Sequence, residues 1–559
     1  MMTAIPIEAA GGAVPPELVD RFWLYDTALL TNDKVTMNEL FAPGPATLRG
    51  DGNGVLVGHE AISTFRSARS RRPTRKVVDL HVRMLSADLA VLMATTTEPI
   101  GGGFGLQTQV WRRHPSGQWH VEIAHVSAVV KPRTDSSPPP QQPSTGSPPE
   151  AAVWRVHEPI TPDPPPGPLS GLRMAVKDLF AVAGYPSGAG VPAWLAEQAP
   201  QTVTAPAVQA LLDAGAHLAG IAQTDEFAYS IAGVNAHYGS AANPVAPHAT
   251  TGGSTSGPAS AVAAGAADVG LGTDTAGSIR VPASYTGLVG LRTTHGRIPL
   301  TGVLGLAADF DTVGWLTRDI ETALAVGEIL FTQTDATPLQ PSAILIVPAL
   351  HSRLTPLVRA AFDIEIERLS TSGDLPPVRE LHWTAEDLDV WFRSFRTWQA
   401  WQAWQQFGPW ITAHPGALGA DVAARFQTAS GTSERAANDA HEVVQSARRR
   451  VRQQLGSGVL ALPTTATSAP ARSATPAQLD RLRDATLRLT SVASIAGAPA
   501  VSLPTLQVPE SWLPDPSPVG LCLVGPPDFD MELLHLARRI SPAAQHPHTD
   551  NPHRTEDPS

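Results

Sequence analysis

The stretch that decides the fold of most of this chain is TGGSTSGPASAVAAGAADVGLGTDTAGSIRVPASYTGLVGLRTTHGR, residues 251–297. It begins with a Gly/Ser/Thr loop, continues into small residues that predict a helix over 259–267, and enters a second Gly/Thr/Ser loop that ends at Ser278. Small residues let backbones approach closely, and such loops present N–H groups to an anion. A phosphate loop does not fit, because no Gly-Lys-Ser/Thr and no GxGxxG follows. Either loop alone reads as a glycine-rich turn beside a helix.

Taken together with a lysine far upstream, the two loops resemble the amidase signature family. GGSTSG at 252–257 is similar to the family's GGSSGG loop, GTDTAGSIR at 272–280 to its GTDTGGSIR loop, and AVKDLF at 175–180 to its VKD strand end. The three matches occur in the family's order, and the resemblance covers about residues 151–540. It implies an α/β fold with a large mixed twisted sheet flanked by helices.

Carried over residue by residue, the resemblance makes Ser278 the nucleophile, Lys177 the base, and Ser254 the bridging serine, which lies in a cis peptide in this family. A serine hydroxyl needs an adjacent base to become a good nucleophile, and a lysine serves as a base only when it is neutral. Because apolar residues flank Lys177, we expect it to be buried, which would lower its pKa toward the working pH, and an ordinary surface lysine is the alternative. The backbone N–H groups that the resemblance assigns to the oxyanion hole belong to Thr275, Ala276, Gly277 and Ser278.

The same resemblance implies a supporting ion pair between Asp274 and Arg280, with an ordinary surface pair as the alternative. Asp178 is expected to help to place its neighbour Lys177. Ala276 departs from the family, which usually has glycine there, and the extra methyl group is expected to modulate the oxyanion loop rather than abolish it.

The substrate is indicated only by residues 224–240, TDEFAYSIAGVNAHYGS, which look most like the plant indole-3-acetamide hydrolase branch of the family. The resemblance implies an arylacetamide or another small apolar amide as substrate. It makes Phe227 and Tyr229 pocket candidates, and ordinary core positions are an equal alternative for both.

The N-terminal part predicts a small α+β domain, with helices at 16–30 and 58–69 followed by a four-stranded antiparallel meander. Its segments VGHEAI at 57–62 and QTQVW at 107–111 resemble the AtzH-like family of cone-shaped domains, over about residues 14–130. That resemblance implies a homodimer or a higher homo-oligomer. It makes Tyr25 and Arg49 the polar groups of the cone, with Arg49 suited to a carboxylate. A noncatalytic dimerisation module is the alternative.

Residues 131–150 hold seven prolines and predict a spacer between this domain and a large domain at 151–540, and the tail at 541–559 is expected to be disordered. Among the 559 residues, 42% are hydrophobic and 16% are charged, which is globular composition. The net charge of −11 argues against a nucleic-acid partner. A single cysteine, Cys522, excludes a disulfide scaffold.

The start of the chain shows no export signal, and no apolar stretch of about 18 residues occurs, so we expect no membrane partner and a cytoplasmic protein. The leading hypothesis is a serine amidohydrolase acting on a small-molecule amide, with no cofactor and no metal ion. The alternatives are a bifunctional nitrogen-salvage hydrolase of biuret-like and carboxylated-urea compounds, a noncatalytic scaffold or receptor with an amidase body, and an amidotransferase subunit that acts on misacylated tRNA.

Overall fold

A computed structural model describes residues 7–10, 14–51, 54–67, 75–97, 104–128, 149–157, 164–331, 340–373, 375–509 and 516–541. The chain divides into two compact units, residues 1–142 with 510–514, and residues 143–509 with 515–559. Most of the predicted spacer (131–148) and most of the predicted tail (542–559) lie outside the described residues.

The first unit combines helices with strands that form one sheet. Its elements are β1 (Ile7–Ala10), α1 (Pro16–Thr31), α2 (Lys34–Glu39), β2 (Leu48–Asp51), β3 (Gly54–Val57), α3 (His59–Ser67), β4 (Lys76–Ser86), β5 (Leu89–Thr97), β6 (Phe104–Arg113) and β7 (Trp119–Ala128).

Within the described part of this unit the strand order is β1-β4-β5-β6-β7-β2-β3. The antiparallel meander β4 to β7 is as the sequence predicts, but the sequence analysis missed α2 and the three strands β1, β2 and β3. These strands are only four residues long, too short for a clear alternation of apolar and polar positions. One face of the sheet is buried beneath α1, where Trp111, Trp119 and Phe22 are among the most buried side chains.

The second unit alternates strands and helices. Its elements are β8 (Trp154–Val156), β9 (Arg173–Lys177), α4 (Pro192–Glu197), α5 (Pro206–Asp213), β10 (His217–Ala222), α6 (Ser256–Ala263), β11 (Val269–Thr273), α7 (Arg280–Thr286), β12 (Val289–Arg292), β13 (Val313–Thr317), α8 (Ile320–Leu330), β14 (Ile344–Ile346), α9 (Pro356–Thr371), β15 (Val378–Glu380), α10 (Ala385–Ala413), α11 (Ala420–Ser430), α12 (Glu434–Leu455), β16 (Val459–Pro463), α13 (Pro476–Ala496), β17 (Ala500–Val508), β18 (Ser517–Val524) and α14 (Asp530–Ile540).

In the described ranges of this unit the strands form one mixed sheet in the order β15-β14-β16-β18-β17-β12-β13-β11-β9-β10-β8. The neighbours β10, β9 and β11 are parallel, and β9 and β11 are buried along nearly their whole length. Because parallel strands end at the same edge of a sheet, the loops that follow β9, β10 and β11 are brought together. This α/β architecture agrees with the fold class that the sequence predicts.

The helix predicted over 259–267 instead begins at Ser256 and ends at Ala263. Pro258 fits in its first turn, because the N–H groups there have no acceptor within the helix. Gly265 ends the helix with a φ of +73°. The small residues allow close packing, since a Cβ on Gly257 would lie 2.6 Å from the carbonyl oxygens of Gln223 and Val153.

Candidate active site

Lys177 is the last residue of β9 and is fully buried. Its Nζ donates to Ser254 Oγ at 2.8 Å and to Thr273 Oγ1 at 2.9 Å. Burial lowers the pKa of Lys177 to about 7, although the carboxylates of Asp225, Asp274 and Asp311 oppose this shift. A large share of this amine is therefore neutral near pH 7 and can accept a proton.

Ser254 lies in the loop before α6, and the peptide bond between Gly253 and Ser254 is cis. Thr224 Oγ1 donates to the Ser254 carbonyl oxygen at 2.8 Å, which ties this loop to the chain that follows β10. Gly253 has no room for a side chain, because a Cβ there would lie 2.4 Å from Asp225 Oδ2. The loop is thus held by packing on both sides.

Ser278 lies in the loop between β11 and α7 and is almost fully buried. The N–H of Thr255 donates to the Ser278 carbonyl oxygen at 3.2 Å, so the two serine loops are in direct contact. Gly277 N–H donates to Asp274 Oδ1 at 2.8 Å. Across the described ranges, the N–H groups of Thr275, Ala276 and Ser278 have no hydrogen-bond acceptor.

Asp274 and Arg280 form an ion pair in which both side chains are fully buried, with Arg280 Nη2 2.9 Å from Asp274 Oδ1. Arg292 Nη1 is a second cationic partner, 3.2 Å from the same oxygen, and it also donates to the Asp274 carbonyl oxygen. Burial opposes ionisation of Asp274, but the two guanidinium groups and backbone N–H donors hold its pKa well below the usual range. The carboxylate therefore stays charged and fixes the loop that ends at Ser278.

Sequence reasoning missed several residues that support this site. Thr273 contacts the amine of Lys177, and Arg292 completes the buried ion pair. Thr490 Oγ1, on α13, donates to the Ala276 carbonyl oxygen at 2.5 Å, and Thr275 Oγ1 donates to Asp311 at 2.5 Å. Thr273 was available as a signal, because it lies inside the GTD motif. Arg292 lies near the end of the stretch 251–297 but outside the quoted motifs, whereas Asp311 and Thr490 lie farther along the chain.

Asp178 does not contact Lys177 through its side chain in the described structure. Its carboxylate instead lies 2.8 Å from Arg155 Nε and accepts a hydrogen bond from the Gly188 N–H at 3.0 Å. Burial raises the pKa of Asp178 to about 6 in spite of this arginine. Asp178 thus anchors the segment around Gly188 beside β8.

Ala276 adopts a backbone conformation that an L-residue accepts, since it is not among the non-glycine residues with positive φ. Gly277, by contrast, has a φ of +131°. The methyl group at position 276 is therefore tolerated without backbone strain.

Phe227 and Tyr229 both lie in an aromatic cluster. The Phe227 ring stacks on Phe407 at 4.2 Å between ring centroids, and Tyr229 lies 4.9 Å from Phe426. Phe227 has a φ of +47°, a conformation that bulky residues rarely adopt and that is frequent near functional sites. Phe227 is 1% exposed and Tyr229 is 8% exposed, and both rings lie in one buried core cluster with Phe407 and Phe426.

In the first unit, which is called the small unit below, Tyr25 packs against Phe41 at 5.9 Å between ring centroids. Arg49 Nη1 lies 2.7 Å from Asp51 Oδ2, and its guanidinium stacks over Phe65. No hydrogen bond joins Tyr25 and Arg49 in the part of this unit that the structure describes. A separate buried polar cluster lies beneath the sheet, where Arg75 donates to Asp26 and to Gln107, each at 2.6 Å. The sequence analysis named neither Arg75 nor Asp26.

Comparison with known proteins gives matches to both units. The family model described as Amidase matches residues 151–354, and the model described as AtzH-like matches residues 11–132. "Amidase 1" of Arabidopsis thaliana is 35% identical over 403 residues, which cover 67% of this chain and 93% of the relative. A solved structure titled "Crystal structure of amidase" is 32% identical and has a TM-score of 0.59, covering 66% of this chain and 84% of that one.

Another relative bears on the location that the sequence analysis expected for this protein. "Outer envelope protein 64, chloroplastic" of Arabidopsis thaliana is 43% identical over 190 residues, which cover 34% of this chain and 32% of the relative. Because a protein named for an organelle envelope is among the relatives, the prediction of a cytoplasmic protein is wrong. In the described residues, no helix combines the length and the apolar character needed to cross a membrane.

Proposed function

The chain belongs to the amidase signature family, and from that premise we propose that Ser278, Ser254 and Lys177 are the catalytic triad of a serine amidohydrolase. It is an enzyme that hydrolyses carbon–nitrogen bonds of amides. The observation that carries the triad is the buried amine of Lys177, which lies 2.8 Å from Ser254 Oγ and has a pKa of about 7.

The proposed reaction begins with neutral Lys177. Its amine takes the proton of Ser254, Ser254 takes the proton of Ser278, and Ser278 Oγ forms a bond to the carbonyl carbon of the amide. When the tetrahedral intermediate collapses, the C–N bond breaks and the relay returns a proton to the leaving nitrogen. Water then attacks the acyl-enzyme with the same relay as base, which releases the acid and restores Ser278.

The proposed oxyanion hole consists of the N–H groups of Thr275, Ala276 and Ser278, because these donors have no acceptor in the described ranges. Gly277 plays a different part, since its N–H holds the Asp274 carboxylate. Each well-placed donor of this kind contributes roughly 2.7 to 4 kcal/mol to transition-state stabilisation in measured sites. The acyl group is proposed to lie toward Tyr229, with Phe227 packed behind it.

We also propose that the two domains span residues 14–130 and 151–540.

We further propose that the small unit is a homodimerisation module. Support for dimerisation comes from the outer face of its sheet, where Met93, Leu106 and Ile123 are 41 to 50% exposed. A soluble sheet face is usually polar, and an apolar one favours a protein partner. Sedimentation of the purified protein tests this: we expect a dimer that Ile123→Lys dissociates, and a monomeric parent protein would contradict it.

A second candidate function, paired hydrolysis of biuret-like and carboxylated-urea compounds, is favoured by the AtzH-like match over 11–132. Its test is Arg49→Ala. Loss of one urea-type reaction but not the other supports it, and unchanged kinetics for every urea tested contradicts it.

The experiment for the proposed triad is ammonia release from indole-3-acetamide, phenylacetamide and short aliphatic amides. We expect Ser278→Ala to abolish turnover and labelling by a fluorophosphonate serine probe while the circular dichroism spectrum is unchanged. Ser352→Ala is the matched control, because Ser352 is an exposed serine of the same unit whose hydroxyl donates to the Ala349 carbonyl oxygen. Full turnover by Ser278→Ala would refute the assignment.

A further inference from the structure

A cationic groove opens on the surface of the second unit, which is called the large unit below, and it adjoins an apolar cavity. An open groove of about 610 Å³ lies between α11 and α13, and a cavity of about 170 Å³ adjoins it. Four residues line both spaces and so mark their junction: Asp421, Arg425, Asp480 and Arg483. The cavity is otherwise mostly apolar and is lined by side chains such as Ile231, Tyr285 and Leu482.

Arg483 is the unusual member of this junction. No carboxylate in the described residues forms an ion pair with it, and its buried Nε–H has no acceptor. The other arginines of the groove differ: Arg425 pairs with Asp421 and donates to the Tyr229 carbonyl oxygen at 2.9 Å, and Arg396 lies 3.3 Å from Asp484. A buried donor on a charged group that lacks a partner is costly unless a ligand supplies one.

The charges around Arg483 also favour an anionic ligand at this junction. Burial and then the positive charges of Arg425 and Arg396 lower the pKa of Arg483 to about 9, although the charges of Tyr229 and Asp421 oppose this shift. Asp480, one turn earlier on α13, is exposed and forms no ion pair with Arg483. The guanidinium groups therefore repel one another, and an anion placed between them relieves that repulsion.

One wall residue of the cavity, Ile231, contacts the loop that holds Ser254. The Ile231 carbonyl oxygen accepts the N–H of Gly253, the residue before Ser254, at 2.9 Å. Thr490 lies on the same face of α13 as Arg483, seven residues further on, and contacts the Ala276 carbonyl oxygen. At 1.5 Å per residue, the two positions are about 10 Å apart along the helix.

We infer that Arg483, together with Arg425, binds a carboxylate at the far end of the substrate's acyl chain. The preferred substrates are then the monoamides of short dicarboxylic acids, with the amide at Ser278 and the carboxylate at the junction. An arginine fork matches a carboxylate in geometry as well as charge. This inference rests on the proposed function, because it extends the same site.

The test compares adipamate, the monoamide of a six-carbon dicarboxylic acid, with the neutral amide hexanamide of the same chain length. We expect the parent enzyme to have the higher kcat/KM for adipamate. Arg483→Gln should lower kcat/KM for adipamate at least tenfold, mainly through KM, and leave hexanamide within about threefold. Arg481→Gln is the matched control, because Arg481 lines only the groove and is exposed on the same helix.

Equal losses for both amides in Arg483→Gln, or a parent enzyme that prefers hexanamide, would overturn the inference. Binding of adipamate to Ser278→Ala by calorimetry separates this result from failure of the proposed function. If Ser278→Ala binds adipamate in an Arg483-dependent way but the parent enzyme hydrolyses neither amide, the carboxylate site stands and the catalytic assignment fails. If the parent enzyme hydrolyses both amides and Ser278→Ala shows no such binding, the catalytic assignment stands and the carboxylate site fails.

Discussion

Replacing Lys177 with methionine should abolish activity and also stabilise the fold near neutral pH. The ordinary lysine pKa of 10.5 falls to about 7 in the folded protein, first because the amine is buried. At about 1.36 kcal/mol per pH unit, keeping this lysine costs the folded state roughly 5 kcal/mol at pH 7 and below. Its two hydrogen bonds return about 1 kcal/mol each. Lys177→Met should therefore be more stable by about 2 to 3 kcal/mol at pH 7.

The sign of the pH dependence follows from linkage. Between the folded and the unfolded pKa the unfolded chain binds more protons than the folded one, so the stability of the parent protein rises with pH in that range. The stability advantage of Lys177→Met should shrink by about 2.5 kcal/mol between pH 7 and pH 9, whatever the hydrogen bonds contribute.

Urea denaturation at pH 7, 8 and 9 measures this difference. Lys76→Met is the control for loss of a lysine, because Lys76 is exposed. In the parent enzyme, kcat/KM should rise with pH through an apparent pKa of about 7 as the lysine becomes neutral. A Lys177→Met protein that is less stable than its parent at pH 7, or whose advantage does not change with pH, would refute the reasoning.

The remaining predictions concern the loops around the triad. Asp274→Asn leaves two buried guanidinium groups without a counter-charge and should cost about 3 to 5 kcal/mol of unfolding free energy, measured by urea denaturation. Gly253→Ala places a Cβ 2.4 Å from a buried carboxylate oxygen and should lower both activity and melting temperature, whereas Gly373→Ala, with nothing within 4 Å, should change neither activity nor fold. Thr490→Val removes the hydrogen bond to the oxyanion loop and should lower kcat about tenfold in steady-state assays with little change in KM; an unchanged kcat would exclude a positioning role.

The sequence predicted most about the residues that are close together in the chain. The GTDTAGSIR motif holds Asp274, Ser278 and Arg280 within seven positions. The resemblance of this motif to the family's loop predicted the ion pair between Asp274 and Arg280, which the structure contains. In the small unit, the spacing of apolar residues predicted the longer helices and strands. Its four-residue strands carried no such period and were missed.

The motifs did not predict which side chains a residue contacts when the partner lies far away in the chain. Asp178 directly follows Lys177, and proximity in the chain suggested that the two act together. Successive side chains of an extended chain point in opposite directions, and the Asp178 carboxylate meets Arg155 instead. Phe227 was likewise an equal choice between pocket and core until its stacking on Phe407 was known.

The sequence by itself determined the fold class, the family and the chemical types at Lys177, Ser254 and Ser278, because each is written in a local motif. Only the tertiary structure decided that the Lys177 amine is buried against Ser254 and Thr273, that Arg292 shares the Asp274 carboxylate, and that Arg483 lines a cavity without a partner. The physical reason is that desolvation and charge pairing depend on neighbours from strands and helices far apart in the chain, which only the packed sheet brings within a few ångströms.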